Sequence, residues 1–378
     1  MDQSTSASRV PERDRALDGL RGFAALAVLS GHLVTHMGLL PFPTLGSSGV
    51  IVFFALSGYL VGRILWRVEP TAASYARFLR RRARRLAPVL LVVVLGTSVA
   101  MLGFAAAPLT LVARDAGVAL LQVTAIGNAF GIDTAVILRP TWSLTVEWAF
   151  YLLGPVAIFT PRRLGLSARR TRGVLAAGAL ALYGLALPLS DLAFYHLPVA
   201  NLGVLVAGAA LAVGHEHREL HGPAPTKDPA YSAMAIVMLA IFVVLPGDPL
   251  SWGWKLAVLP GAAVAALVVV HGCWARVATS RLLAARWLRA VGIRAYSLYL
   301  WHLPVMWVVW VTMPASTAMT RAGIALLVIV PLVALSFEVL ERPYLSSPSA
   351  TRSAYLRHIL AGHVRVRSGG VASTAHAR

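Results

Sequence analysis

Apolar residues run through this chain in eleven stretches separated by short polar or basic segments. They lie near 17–38, 46–66, 86–107, 111–130, 142–160, 173–189, 197–214, 231–246, 255–274, 291–313 and 322–341. A helix that crosses a bilayer needs about 20 apolar residues, with roughly 17 at the lower limit. The pattern therefore predicts an all-α, polytopic membrane helical bundle. The stretch at 111–130 is the exception, because Arg114, Asp115, Gln122 and Asn128 interrupt it.

The basic residues between the stretches decide whether 111–130 spans. Arg9, Arg13 and Arg15 precede the first stretch, and Arg63, Arg67, Arg77 and the run from Arg80 to Arg85 follow the second. Both groups belong on the cytoplasmic side, where arginine concentrates. A spanning 111–130 would place Arg162, Arg163, Arg169, Arg170 and Arg172 outside. A non-spanning one places them inside, together with Arg218, Lys227, the set Arg276, Arg281, Arg286 and Arg289, and the tail from Arg342. The expectation is about ten transmembrane helices, both termini cytoplasmic, and one non-spanning helix at the outer face.

Composition agrees with a bilayer location. The 378 residues are 58% hydrophobic and 13% charged, against about a quarter charged for a soluble domain. The net charge of +19 is almost wholly arginine, Lys227 and Lys255 being the only lysines. Such a charge could point to nucleic acid, but arginines placed between apolar stretches are explained by orientation in the membrane. Cys273 is the single cysteine, so no intramolecular disulfide and no cysteine-rich metal site is expected. The polar start lacks the pattern of a cleaved secretory signal, so the first stretch is expected to remain as an anchor. The organisation expected is a cytoplasmic segment 1–16, a membrane domain 17–345, and a disordered basic cytoplasmic tail 346–378.

Few residues inside the apolar stretches can carry chemistry. Arg21 and His32 share the first stretch with ten residues between them. At about 100° per residue, eleven steps make three turns plus roughly 20°, so both lie on one helix face, roughly 16 Å apart in height. Intramembrane ionisable residues are costly and by default functional. A neutral imidazole at His32 can take a proton from a hydroxyl, although a histidine bonded at a helix-packing site would give the same pattern. The run FLRRRARRLAP sets Arg82 and Arg85 at i,i+3, with Arg81 and Arg84 alongside, an arrangement that fits phosphates or lipid headgroups.

In TWSLTVEWAFYLLGP, Glu147 stands one turn before Tyr151 and one turn after Trp142 and Ser143. A carboxylate there needs a partner, whether it serves chemistry or clamps two helices. In YSLYLWHLPV, Tyr296, Tyr299 and His302 form a polar stripe toward the bundle interior, expected to line a pocket. Glu338 and Glu341 are expected to pair with neighbouring arginines. Phosphate loops, H-E-x-x-H and G-x-S-x-G are missing, so a phosphate-bearing ligand would be held by arginines.

The stretches LDGLRGFAALAVLSGH, FFALSGYLVGRIL, FLRRRARRLAP, TWSLTVEWAFYLLGP, YSLYLWHLPV and FEVLERP lie in order from residue 17 to 343. Together they resemble the acyltransferase 3 family of integral membrane acyltransferases. The most specific element is the basic residue, ten residues, then histidine. The resemblance implies a ten-helix fold and transfer of an acyl group, commonly acetyl from acetyl-CoA, to a hydroxyl of a surface polysaccharide or a macrolide.

By the same resemblance His32 is the catalytic histidine, Arg21 its basic partner and Glu147 the acidic motif residue. Arg82 and Arg85, with Arg81 beside them, would meet the donor, and Tyr151, Tyr299, His302 and Trp142 would line the pocket. No bound cofactor or metal is expected; acyl-CoA enters as co-substrate. Some relatives carry a fused extracytoplasmic hydrolase-like domain; none is expected here, so acetylation of the acceptor is expected to be completed in the membrane domain or by another protein.

Three functions remain open on these residues. The first is acyl transfer at a bacterial plasma membrane, with acyl-CoA entering from the cytoplasm and a hydroxyl-bearing small molecule or glycan as acceptor. The second is a transporter or flippase of an acylated or glycosylated lipid, against which only the lack of a visible inverted repeat argues. The third is a histidine-dependent membrane acyltransferase of another fold.

Overall fold

The computed structural model describes residues 12–37, 44–132, 134–221, 249–276 and 278–345, with three isolated positions between 221 and 249. The expected stretch at 231–246 and the tail from 346 lie outside the described residues, as does the side chain of His36. Among the described residues there is no strand. Seven helices among the described residues are long and apolar enough to cross a membrane. Two more, Ala168–Ala186 and Ala295–Thr312, have 19 and 18 residues.

The first two helices, α1 (Glu12–His36) and α2 (Thr44–Arg67), pack antiparallel to one another. Next, α3 (Ala72–Phe104) is capped by the Thr71 side chain, which accepts from the Ser74 amide. It runs without interruption through the arginine cluster and Pro88 into its apolar part. The cluster is therefore helical, as the i,i+3 spacing of Arg82 and Arg85 requires, and continuous with the apolar span. Two short helices follow, α4 (Leu109–Leu120) and α5 (Thr124–Ala129). At 12 and 6 residues neither can cross a bilayer. Asp115 is buried, held by Arg114 at 2.8 Å, and accepts from the Ala135 amide at 2.9 Å. The charges that interrupt the apolar pattern thus fasten this segment to the entry of the next helix.

That helix is α6 (Trp142–Arg163), followed by α7 (Ala168–Ala186), the short α8 (Asp191–His196) and α9 (Pro198–His221). A π turn at Trp254–Val258 leads into α10 (Leu259–Ala275). Then come α11 (Ala278–Leu283), α12 (Arg286–Ile293), α13 (Ala295–Thr312) and α14 (Ala318–Ser336), which ends in a second π turn, Phe337–Glu341.

Small residues bring the site-bearing helices together. A Cβ on Gly58 of α2 would stand 2.0 Å from the Leu205 carbonyl oxygen of α9, and one on Gly208 of α9 would stand 2.3 Å from that of Ala55. The two backbones are therefore in contact, as small residues permit in a bilayer, where packing replaces the hydrophobic drive between helices. On α1, Gly19 and Gly22 admit the carbonyls of Leu283 and Leu288 at 1.6 and 2.1 Å from where a Cβ would be. The α11–α12 segment thus locks the N-terminal half of α1, where Asp18 and Arg21 line a cavity. Outside, Leu95, Leu180, Leu327 and Val330 are largely exposed, forming an apolar surface for lipid tails.

Candidate active site

A cavity of about 460 Å³ opens between α1, α2, α3, α6 and α13. Its lining on α2 runs from Val50 to Arg67, roughly 26 Å of helix rise. The end near Arg67 is basic: Arg21, Arg63, Arg67, Arg82 and Arg85 line the cavity with Asp18 and Glu147. The opposite end is lined by Val50, Phe53, Ser143, Leu144 and Tyr299.

Glu147 is the acceptor of two short hydrogen bonds, each 2.5 Å, from Ser57 Oγ of α2 and from the Tyr151 hydroxyl one turn on. The Arg82 guanidinium lies over the Tyr151 ring at 5.3 Å and over Phe78 at 5.6 Å. This fixes its head beside the carboxylate by cation–π attraction. At the basic mouth, Arg63 and Arg67 both bond Glu216 of α9, at 2.9 and 2.7 Å, and the Arg63 and Glu216 side chains are 9% and 6% exposed. Such a pair must be mutual to be tolerated at that depth.

The sequence offered no signal for Ser57, Arg63, Arg67 or Glu216 as site residues. Ser57 lies in a motif without recognisable catalytic spacing, and the arginines read as orienting charges. Their partners are far along the chain, 90 residues for Ser57–Glu147 and 153 for Arg63–Glu216.

The cavity contains Arg21, Arg82, Arg85, Glu147, Tyr151 and Tyr299. It does not contain Arg81, which is exposed on the flank of α3. Nor does Trp142 line it. That indole is buried against Phe54 at 6.2 Å, Tyr195 at 4.9 Å and His196 at 5.7 Å; it points about 100° around α6 from its neighbour Ser143. Of the two closing glutamates, Glu338 pairs with Arg342 and Arg294 as expected. Glu341 does not: it is fully buried and accepts from the Ser297 amide and hydroxyl, at 3.2 and 2.5 Å. Its carboxylate thus faces Ser297 of α13 rather than Arg342.

His32 and His302 do not line the cavity; they lie next to its apolar end, across Tyr299. Gly46, one turn before Val50 on α2, rests against the His32 ring. His302, expected as a pocket-lining residue, instead bonds His32 directly: His302 Nε2 lies 2.9 Å from His32 Nδ1, with ring centroids 4.9 Å apart. His302 Nδ1 lies 3.1 Å from the Leu298 carbonyl oxygen. A carbonyl only accepts, so His302 Nδ1 carries hydrogen. With both rings neutral, His302 Nε2 then accepts from the Nδ1–H of His32, and the His32 lone pair is on Nε2. The His302 ring is 5.8 Å from that of Tyr299, whose hydroxyl bonds Ser143 at 2.6 Å and donates to the Pro140 carbonyl at 2.8 Å. Tyr299 thus separates the basic cavity from the histidine pair.

A family model described as an acyltransferase domain matches residues 14–338. The chain is 30% identical, over 87% of its own length and 82% of the relative's, to a protein of Komagataeibacter xylinus provisionally named a membrane-bound transacylase. It is 25% identical to the peptidoglycan O-acetyltransferase OatA of Listeria monocytogenes, covering 77% of this chain and 49% of that one. It is 27% identical to a protein of Bacillus subtilis provisionally named a peptidoglycan O-acetyltransferase, covering 86% of this chain and 54% of that one. The chain thus spans about half the length of these two relatives. No solved structure matches. With a match that runs from the first helix into the last, and with the helical bundle around it, this chain belongs to the acyltransferase 3 family.

Proposed function

We propose that this protein transfers an acyl group, acetyl in the first instance, from acyl-CoA to a carbohydrate hydroxyl within the membrane. The reading is supported by the basic cavity and, on the far side of Tyr299 from it, the hydrogen-bonded pair of His32 and His302. The names of the relatives support a glycan acceptor, with a macrolide hydroxyl as the small-molecule alternative. The reading includes ten spanning helices with both termini cytoplasmic, α7, α13 and the stretch 231–246 joining the seven spans above. It follows from the positive-inside distribution of arginine.

The chemistry is derived from the residues. Acyl-CoA enters from the arginine-rich side. Arg82 and Arg85 bind its phosphates by charge-assisted hydrogen bonds, which need no P-loop. Arg21 stands roughly 16 Å of helix rise below His32, a distance that the extended arm between pyrophosphate and thioester can bridge. Phe53 and Tyr299 part to admit the acyl end. The acceptor O–H gives its proton to His32 Nε2 as its oxygen forms the new C–O bond at the acyl carbon. The C–S bond then breaks, and the leaving thiolate takes the proton back from the imidazolium. Glu147, fixed by Ser57 and Tyr151, keeps Arg21, Arg82 and Arg85 from repelling one another out of the cavity before the donor arrives.

His32→Ala tests the reading. Membranes carrying it should lose acetyl transfer from labelled acetyl-CoA while the protein still inserts. Mass spectrometry of surface glycans and small metabolites from a deletion strain and its parent should then show which acetylated species disappears. Turnover near wild type in His32→Ala would overturn the role, and movement of a lipid without consumption of acyl-CoA would favour a flippase instead.

A further inference from the structure

We propose that His302 is the positioning residue of the catalytic base, holding His32 in the one tautomer and orientation that can take the acceptor's proton. The inference rests on the reading of His32 as that base.

Three observations carry it. First, the His302 ring has no freedom to exchange its roles. It is 1% exposed, its Nδ1–H is committed to the Leu298 carbonyl of its own helix, and its Nε2 faces His32 at 2.9 Å. A buried ring cannot replace the Leu298 contact by water, so the reverse tautomer would set a lone pair against a carbonyl lone pair, costing about 1–3 kcal/mol.

Second, the helix that carries the ring is tied to three neighbouring helices just before it. The Tyr296 hydroxyl donates to the Leu86 carbonyl of α3 at 2.9 Å. Ser297 bonds Ser336 and Glu341 of the last helix at 3.0 and 2.5 Å. Tyr299 reaches Pro140 and Ser143 at the start of α6. These anchors fall within the two turns preceding His302. Two apolar helices that needed only to pack would not require this set of polar ties.

Third, the geometry matches what the transfer step demands. As the acceptor proton moves to His32 Nε2, positive charge spreads to the Nδ1–H, and the His302 lone pair receives that charge. In serine hydrolases a carboxylate does this work behind the histidine. Within a bilayer a carboxylate would add a buried negative charge with a large desolvation penalty, whereas a neutral imidazole supplies the acceptor without one. The proton passes from the acceptor oxygen to His32 and on to the leaving thiolate; none is delivered to His302.

The test uses the full chain returned to a deletion strain, with radiolabelled acetyl-CoA supplied to membrane vesicles and kcat and KM read by varying the donor. His302→Leu is expected to lose about 10- to 100-fold in kcat, with the donor KM unchanged within about threefold. His302→Gln, whose amide oxygen can accept from His32, should recover most of the loss. His302→Asn reaches Leu298 but falls short of His32 and should behave like His302→Leu. Because the two act as a unit, His32→Ala with His302→Leu should be no slower than His32→Ala alone.

If His302→Leu does not accumulate in the membrane, the Gln–Asn contrast decides by itself. Equal activity of Gln and Asn overturns the inference, as does wild-type kcat in His302→Leu. In both cases an inactive His32→Ala leaves the proposed function standing. No acetyl-CoA-dependent label with the wild type, or an active His32→Ala, overturns that function and this inference with it.

Discussion

Arg82 allows the donor site to be tested quantitatively, with a neighbour as its control. The guanidinium lines the cavity and is held over Tyr151 and Phe78 at 5.3 and 5.6 Å. Arg81, next to it in the same helix, is exposed and outside the cavity. Arg82→Gln keeps the length and some hydrogen bonding but removes the charge. A hydrogen bond to a charged group contributes about 1.5–3 kcal/mol. At about 1.4 kcal/mol per factor of ten, the donor KM should rise roughly 10- to 150-fold. The loss should appear in KM before kcat, because the phosphates are remote from the reacting carbon and are held equally in ground and transition states. Arg81→Gln should leave both constants within about a factor of two, as expected of a solvated surface charge. The assay is the initial rate of acetyl transfer in membrane vesicles at varied acetyl-CoA, with protein amount normalised by immunoblot. A fall in kcat at unchanged KM would refute the assignment, as would an equal effect of Arg81→Gln.

Further predictions concern architecture. Glu216→Ala removes the shared partner of Arg63 and Arg67. Leaving the buried Arg63 charge uncompensated should cost about 3–5 kcal/mol, seen as a lowered unfolding midpoint in detergent. The exposed Arg67 contributes little to that figure, and an unchanged midpoint would show that the pair is not buried in the membrane-embedded protein. Gly58→Val should abolish accumulation of folded protein, since its Cβ would lie 2.0 Å from a backbone oxygen of α9 that has no side chain to move; normal accumulation would mean that α2 and α9 are further apart. A reporter fused after Arg172 should be active only in its cytoplasmic form, and an exported reporter would break the ten-helix topology.

Most of the helices and the polar residues within them are legible along the chain. Periodic apolar length marks spans because a bilayer imposes it locally. The polar interruption at 111–130 marked a non-spanning segment, observed as α4 and α5. The spacing of Arg21 and His32 follows from helix geometry alone. The tertiary structure decided which residues meet. His302 is 270 residues from His32, yet the two share a hydrogen bond, and no pattern on either helix encodes that pairing. It likewise decided that Trp142 turns from the cavity and Arg81 to its flank, that Glu341 is buried while Glu338 is paired, and that the histidine pair stands behind Tyr299. Local propensity acts over a few residues, whereas a site in a helical bundle is made by side chains from different helices, and only the close approach of their backbones at Gly19, Gly22, Gly58 and Gly208 sets which faces those helices turn to one another.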